Sequence, residues 1–479
     1  MTAKDGASSG VKAMKLHFPL NRYVLLFLYL VVVLLRGCTY WGWNGIQEML
    51  YKSGAYVWEC TDPSQVTELR IGGQRYIDCP ERKQMLGGIF TLALGSNMLS
   101  SFLAGIALDT LGPKITLFIG ICMDIIGWFL LGFSGEHFRA YYAAAFCIGV
   151  SADPGYLPLL SISKLFPQNS SFVISIMGSL RSISFAVPVV MSVIFQGASF
   201  APGDLWKMCV GYIAVGQGIA LFVCLLFVPM ASFTFPVENE VEQEGKDKDS
   251  QSTVAVPTRS QDNRTFWQLI SDPKFLLLLP IFCCALVRSD YYAKSNKEQL
   301  VDSNDKDLYQ MFAIFNILSF IPGPVFGRIA DAYGIVLVLF MLNTSGVFMF
   351  IFLMFDSLAC KGISIFFFFI YTSFVLSNVY CFISIHFPEH AFGKLTGLTS
   401  ATGGIFVLLS ILWYKKVLEY DPPNNFVVVD GIMVAVGLIV YALIFVLWRF
   451  SSREERSKNK IMEQKTLAES AEPASTVSV

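Results

Sequence analysis

Several ionisable residues sit where the surrounding sequence is almost wholly apolar: Arg36, Asp124, Asp153, Arg181, Arg288 and Asp290. A charge placed in such a stretch costs at least about 2.5–3.5 kcal/mol at the centre of a bilayer, so it is paired, faces a cavity, or meets a ligand. A guanidinium grips a carboxylate through two parallel hydrogen bonds, whereas a carboxylate receives an ammonium group or a proton. Arg36 is followed by Tyr40, Trp43 and Gln47 at spacings of four, three and four, which on an unbroken helix form one stripe. That stripe must face water, a ligand or partner helices. Arg288 precedes Tyr291 and Tyr292 by one turn, and Ser373, Ser377 and Asn378 make a third polar group.

The elements that carry these residues are legible from composition. Of 479 residues, 54% are hydrophobic and 15% charged, against about 25% charged in ordinary soluble domains. The apolar residues come in blocks of the length needed to cross a hydrocarbon core about 30 Å thick. Reading them between polar breaks predicts spans 1 to 6 near 23–49, 85–107, 115–133, 139–163, 170–195 and 207–233. Spans 7 to 12 follow near 274–294, 308–330, 335–356, 362–386, 393–414 and 426–449. Between the sets lies a stretch rich in Glu, Lys, Asp, Ser and Gln that cannot bury enough surface to fold. The predicted organisation is a segment at 1–22, a six-helix bundle at 23–233, a linker at 234–265, a second bundle at 266–449 and a tail at 450–479. An even number of spans puts both termini on one side. Lys4, Lys12, Lys15, Arg22 and the basic tail place that side in the cytoplasm, although the 50–84 loop also holds five Lys or Arg. With those depths, Arg36, Asp153 and Arg181 fall near one level of the membrane, and substrate sites in transporters built from repeats lie at that level.

A short internal repeat supports two related halves. Gly105, Asp109 and Gly112 follow span 2, and Gly327, Asp331 and Gly334 follow span 8, both as G-x-x-x-D-x-x-G. The glycines allow close helix approach, while an Asp at a helix end is satisfied by backbone N–H groups or a cation. These loops resemble the signature loop of the major facilitator superfamily, with Thr110 where that family usually has a basic residue. Gly37 to Leu50, Gly54, Cys60, Phe90 to Asp109, Gly178, Ser179, Val287, Arg288, Tyr291, Tyr292 and Phe387 to Leu398 resemble, in order along the chain, one branch of it. That branch is the system L-type facilitative amino-acid transporters and their apicomplexan relatives.

The resemblance implies an all-α membrane protein with twelve transmembrane helices in two six-helix bundles around a central cavity. It also implies alternating access, and an amino acid as the cargo moving down its gradient. A cavity for a zwitterion needs donors for the carboxylate, acceptors for the ammonium and a wall for the side chain. Arg36, Tyr40, Asp153, Arg181, Arg288, Tyr291, Ser377 and Asn378 supply them. Competing readings stay open residue by residue. Arg36 and Arg181 either touch substrate, with Arg36 the favoured carboxylate contact because it heads the stripe of span 1, or pair with Asp124 and Asp153 as struts. Asp153 either meets an ammonium or patches the break that Pro154, Gly155 and Pro158 make in span 4. Tyr291 and Tyr292 either line the site or anchor at an interface, and Trp43 either lines the site or packs beside Gly42. Asp109, Gly112, Asp331 and Gly334 are expected to gate. Two further readings are a carrier of another small solute, such as an organic anion, and a non-transporting receptor on the same fold.

Most of the eleven cysteines lie inside apolar blocks. Cys60 and Cys79 share the long outer loop and are expected to form a disulfide, with Cys360 as the other candidate partner. No phosphate-binding glycine loop, metal-ligand cluster or nucleophile–base pair is present, so neither a pump nor an enzyme is expected, and no cofactor. The expected partners are a small-molecule substrate and the lipid bilayer of the plasma membrane, not nucleic acid. The sequons at Asn169, Asn263 and Asn343 fall in the cytoplasm or inside a span and are not expected to carry glycan.

Overall fold

The computed structural model describes residues 21–62, 66–71, 74–197, 200–231, 233, 264–300, 308, 311–312, 315, 318–419 and 422–471. The expected N-terminal segment up to residue 20, the linker through 263 with Asn263, and the tail beyond 471 lie outside the described residues. Eight helices among the described residues are long and apolar enough to cross a membrane, and they coincide with predicted spans 2, 3, 5, 6, 7, 9, 10 and 12. Spans 1 and 4 are helical but interrupted, span 8 is described chiefly over Pro322–Tyr333, and span 11 is the helix Phe392–Glu419.

The interruptions have local causes. Span 1 divides into Arg22–Arg36 and Trp43–Ser53 around a short turn, Thr39–Trp41. There its backbone presses onto span 5: a Cβ on Gly42 would stand 2.2 Å from the Phe185 carbonyl oxygen. The helical stripe expected from Arg36 through Gln47 is therefore split, since the turn re-aims every residue after Arg36. Span 4 runs as Tyr141–Ser151, breaks at Pro154, and resumes as the tighter helix Leu157–Leu165. Span 5 is Ser170–Ile183 and Ala186–Gly197, broken where the ring of Pro188 would meet the carbonyl four residues earlier. Span 6 carries a π turn, Ile213–Gln217, between Leu205–Tyr212 and Gly218–Phe227. Span 10 is Leu358–Thr372 and Val375–His386. Spans 2 and 8 end at Gly112 and Gly334, whose φ of +83° and +91° only glycine adopts freely.

The 50–84 loop is a clamped unit, a small departure from an all-α chain. Strands β1 (Thr67–Ile71) and β2 (Gln74–Asp78) pair antiparallel, with Thr67 opposite Asp78. The intervening Gly72-Gly73 is a hairpin signal that the apolar-run reading passes over. Cys60 and Cys79 are bonded, with Cα atoms 5.8 Å apart, and Cys360 is a free thiol. Buried Arg82 ties the loop to span 1. Its Nε donates to the Ala55 carbonyl at 2.8 Å and Nη2 to that of Tyr51 at 3.1 Å. At the other end of the chain, the expected polar tail from residue 450 continues the span 12 helix, which runs Pro422–Ala471.

Removing the crosslink with Cys60→Ser and Cys79→Ser is expected to lower stability by about 3 kcal/mol, the chain-entropy value for a loop of this size. Thermal unfolding of the detergent-solubilised protein checks it; an unchanged midpoint would show that the Arg82 network alone holds the loop.

Candidate functional site

Three arginines lie deep inside the spans, each at least 93% buried. Arg36, the last residue of the first half of span 1, turns toward spans 3 and 6. Its Nη2 is 3.7 Å from Asp124 Oδ2, and its Nε donates to Gln217 Oε1 at 3.1 Å. Gln217 in turn donates to Asp124 Oδ2 at 2.6 Å. The three side chains form a closed triangle within the first half of the chain. Arg36 thus has the buried aspartate partner of the strut reading.

Arg181 ends the first half of span 5 and points to the face shared by the two halves. Its Nη2 donates to Asp153 Oδ1 at 2.8 Å, its guanidinium covers the Tyr156 ring at 4.4 Å, and its Nη1 reaches the hydroxyl of Tyr380 on span 10 at 3.5 Å. The broken helix of span 4 is what turns Asp153 and Tyr156 inward here. Beside them, Tyr40 accepts a 2.9 Å bond from Asn97 Nδ2 on span 2. Ser377 packs directly on Gly178, where a Cβ would stand 2.1 Å from its Oγ. The predicted residues Tyr40, Asp153, Arg181 and Ser377 therefore gather at the junction of the halves. Buried polar atoms without hydrogen-bond partners cluster on the same elements: Asn97 Oδ1, Tyr156 Oη, Ser179 Oγ and Asn378 Oδ1.

Arg288 and Asn378 lie apart from that junction, in the lining of a cavity inside the second half. Tyr291 and Tyr292 are fully buried, which removes the interfacial-anchor reading. Tyr292 bonds Ser364 Oγ at 3.0 Å and stacks on Phe368, and Tyr291 packs against Phe350. Trp43 packs against Phe90 at 5.7 Å between ring centres. Sequence reasoning missed Asn97, Tyr156, Gln217, Asn343 and Tyr380. Gln217 is a lone amide in an apolar block and offered a signal; Asn343 was read only as a sequon, yet it is buried against Arg288.

At one end of the molecule the halves are joined by two equivalent contacts. Asp109 accepts from the backbone N–H groups of Gly393 and Lys394 at 2.9 and 2.7 Å, at the start of the span 11 helix. Asp331 accepts from those of Ser171 and Phe172, both at 2.9 Å, at the start of span 5. A carboxylate at a helix N-terminus satisfies donors that have no partner within the helix and complements its dipole. The first glycine of each repeat permits the approach: a Cβ on Gly105 would lie 2.0 Å from the Gly393 carbonyl oxygen, and one on Gly327 2.1 Å from Ser175 Oγ. Lys164 and Glu389 add an ion pair at 3.1 Å across the same end. Thr110 bonds back to the Ile106 carbonyl at 2.7 Å and takes no part. Among the described residues no group of three or more His, Cys, Asp or Glu is placed to hold a metal ion.

This architecture, two helical halves meeting at a polar face and latched at one end by paired loop aspartates, is that of a multi-pass membrane transporter. The chain belongs to the Major Facilitator Superfamily, whose family model matches residues 82–411. It is similar to the Aromatic and large neutral amino acid transporter 5-3 of Toxoplasma gondii, with 31% identity covering 90% of this chain and 84% of that one. It is 28% identical to Arginine transporter 1 of the same organism, over 95% of this chain and 92% of that one. Among solved structures, the human organic anion transporter MFSD10 shares the fold with a TM-score of 0.61 and 13% identity, covering 89% of this chain and 100% of that one.

Breaking the triangle has a defined consequence. Arg36→Ala strands a buried carboxylate and is expected to cost about 3–5 kcal/mol. Adding Asp124→Asn should restore most of it, a non-additivity that thermal unfolding of the single and double variants reads directly. Additive losses would show that Arg36 does not act through Asp124.

Proposed function

We propose that this protein carries an amino acid across the plasma membrane by alternating access, as a facilitative uniporter with both termini in the cytoplasm. The observation that carries the reading is the Arg181–Asp153 pair at the junction of the halves, 2.8 Å apart and in reach of Tyr380 on the opposite half. A zwitterion offers the same two charges in reverse. It can exchange with the pair, its carboxylate toward Arg181 and its ammonium toward Asp153, without leaving either charge bare. Tyr40 and Ser377 adjoin that position. The similarity to two amino-acid transporters over most of the chain supports the cargo class. Their names differ in side-chain preference, so neither specificity is adopted. In this reading the halves 23–233 and 266–449 are the rocking bodies, and Arg36 is a strut of the first.

The aspartate contacts then belong to the conformational cycle. Asp109 and Asp331 bind no cargo; they stabilise the state closed on the cytoplasmic side. Two outcomes follow. Proteoliposomes containing the purified chain should take up radiolabelled amino acids down a gradient and exchange them across the membrane, whereas uptake of organic anions with no amino group in their place would overturn the reading. In the same vesicles Asp109→Asn and Asp331→Asn should slow transport at least tenfold while equilibrium binding stays within a few-fold of the parent. Loss of binding in a folded variant would move these residues into the site.

A further inference from the structure

Each half of the chain buries an arginine on its first span, and the two are not equally satisfied. In the first half Arg36 on span 1 faces Asp124 on span 3 and Gln217 on span 6. In the second half Arg288 on span 7 faces Asn343 on span 9, and Asn343 donates to the Gly437 carbonyl on span 12. The partner on the third span of the half is a carboxylate in the first case and an amide in the second. Arg288 is 1% exposed. Its Nη1 donates to Asn343 Oδ1 at 2.9 Å, while Nε and Nη2 have no hydrogen-bond partner. No carboxylate lies within 4.0 Å of it among the described residues. The flanking groups are the rings of Tyr371 and Phe350, with 5.5 and 5.8 Å from guanidinium carbon to ring centre. Gly346 and Gly437 make room for the head group, since a Cβ on either would stand 2.8 or 3.1 Å from Nη2.

A buried cation with unused donors and no counter-charge is costly, and an anion seated beside it removes most of the penalty. Arg288 borders a cavity whose other walls include Phe282, Leu342, Val379 and Asn378, and Asn378 Oδ1 is a buried acceptor without a partner. The cavity has room for about one water in this conformation. It fits the charged end of a ligand and not a whole amino acid. Asn378 is one residue along span 10 from Ser377, which packs on Gly178 of span 5 at the junction between the halves. We propose that Arg288 is a second carboxylate-binding residue for the transported amino acid, taking the carboxylate at a step of the cycle other than the one at which it faces Arg181: there the substrate carboxylate supplies in the second half the counter-charge that Asp124 supplies in the first, with Asn343 orienting the guanidinium and Asn378 accepting from the ammonium group.

This inference rests on the amino-acid reading above, and the tests separate the two. If wild-type vesicles carry no amino acid, that reading falls and this one with it. If they do, the amino acid found in that screen, its amide and its decarboxylated amine are compared on wild type, Arg288→Gln, Arg288→Lys and Asn343→Asp by binding and thermal shift. The free acid should stabilise wild type and its amide and amine should not. Both Arg288 variants should weaken binding of the acid at least tenfold. Asn343→Asp builds the counter-charge into the protein, so it should raise the unfolding temperature while also weakening binding at least tenfold, a combination that a purely structural Arg288 does not produce. Binding by Arg288→Gln within threefold of wild type overturns the proposal. An inorganic anion is the rival source of the charge: if replacing chloride by gluconate lowers the stability of wild type but not of Arg288→Gln, chloride occupies the site and the carboxylate assignment fails.

Discussion

Within a bilayer no water reaches the helices to satisfy a polar group, and the whole arrangement of this protein follows from that constraint. A buried charge has to be answered by the chain itself or by what it binds. Lys52 donates to the Phe195 carbonyl at 2.6 Å, Arg82 takes four carbonyls of the 50–84 loop and span 1, and Arg36 closes a triangle with Asp124 and Gln217. The helix breaks obey the same rule. They occur in spans 1, 4, 5 and 10, where the exposed backbone lies against another span and not toward lipid, and Ser184 caps the break of span 1 by accepting from the Cys38 N–H at 2.9 Å.

The latch between the halves is the place where this rule makes two states instead of one. Four backbone N–H groups at the starts of spans 5 and 11 are satisfied by carboxylates from the opposite half. Separating the halves frees both the donors and the carboxylates, which then need water. Closure therefore exchanges hydration of that end for direct bonds, a near-balance that a bound ligand can tip. The close glycine contacts beside Asp109 and Asp331 make the closed arrangement specific, because side chains there would hold the helices apart before the hydrogen bonds form.

The polar face at the centre has a different logic. Its members, Asp153, Tyr156, Arg181 and Tyr380, come from both halves and satisfy one another incompletely, leaving acceptors and hydroxyls unused. A core built only for stability would contain fewer such groups, since each one buried without a partner costs free energy. Incomplete satisfaction is what a site that must alternately hold and release a polar cargo requires.

Hydrophobic block length and the paired G-x-x-x-D-x-x-G loops pointed to the membrane class and the repeat because each depends on local spacing alone, whereas the Cys60–Cys79 crosslink was expected with Cys360 as an open alternative until the fold paired the first two. The prolines of span 4 likewise announced its break. The partners of the buried charges were not legible. As sequence, Arg36 at the head of its stripe was favoured over Arg181 as a substrate contact, and only packing showed their partners: Arg36 lies against Asp124 within the first half, while Arg181 faces Tyr380 of the second. Asn343, 55 residues from Arg288, carried no sign of its role. Helix periodicity says which side chains share a face, but which face meets which neighbour is decided by how twelve predicted spans pack together, and that is a property of the folded chain.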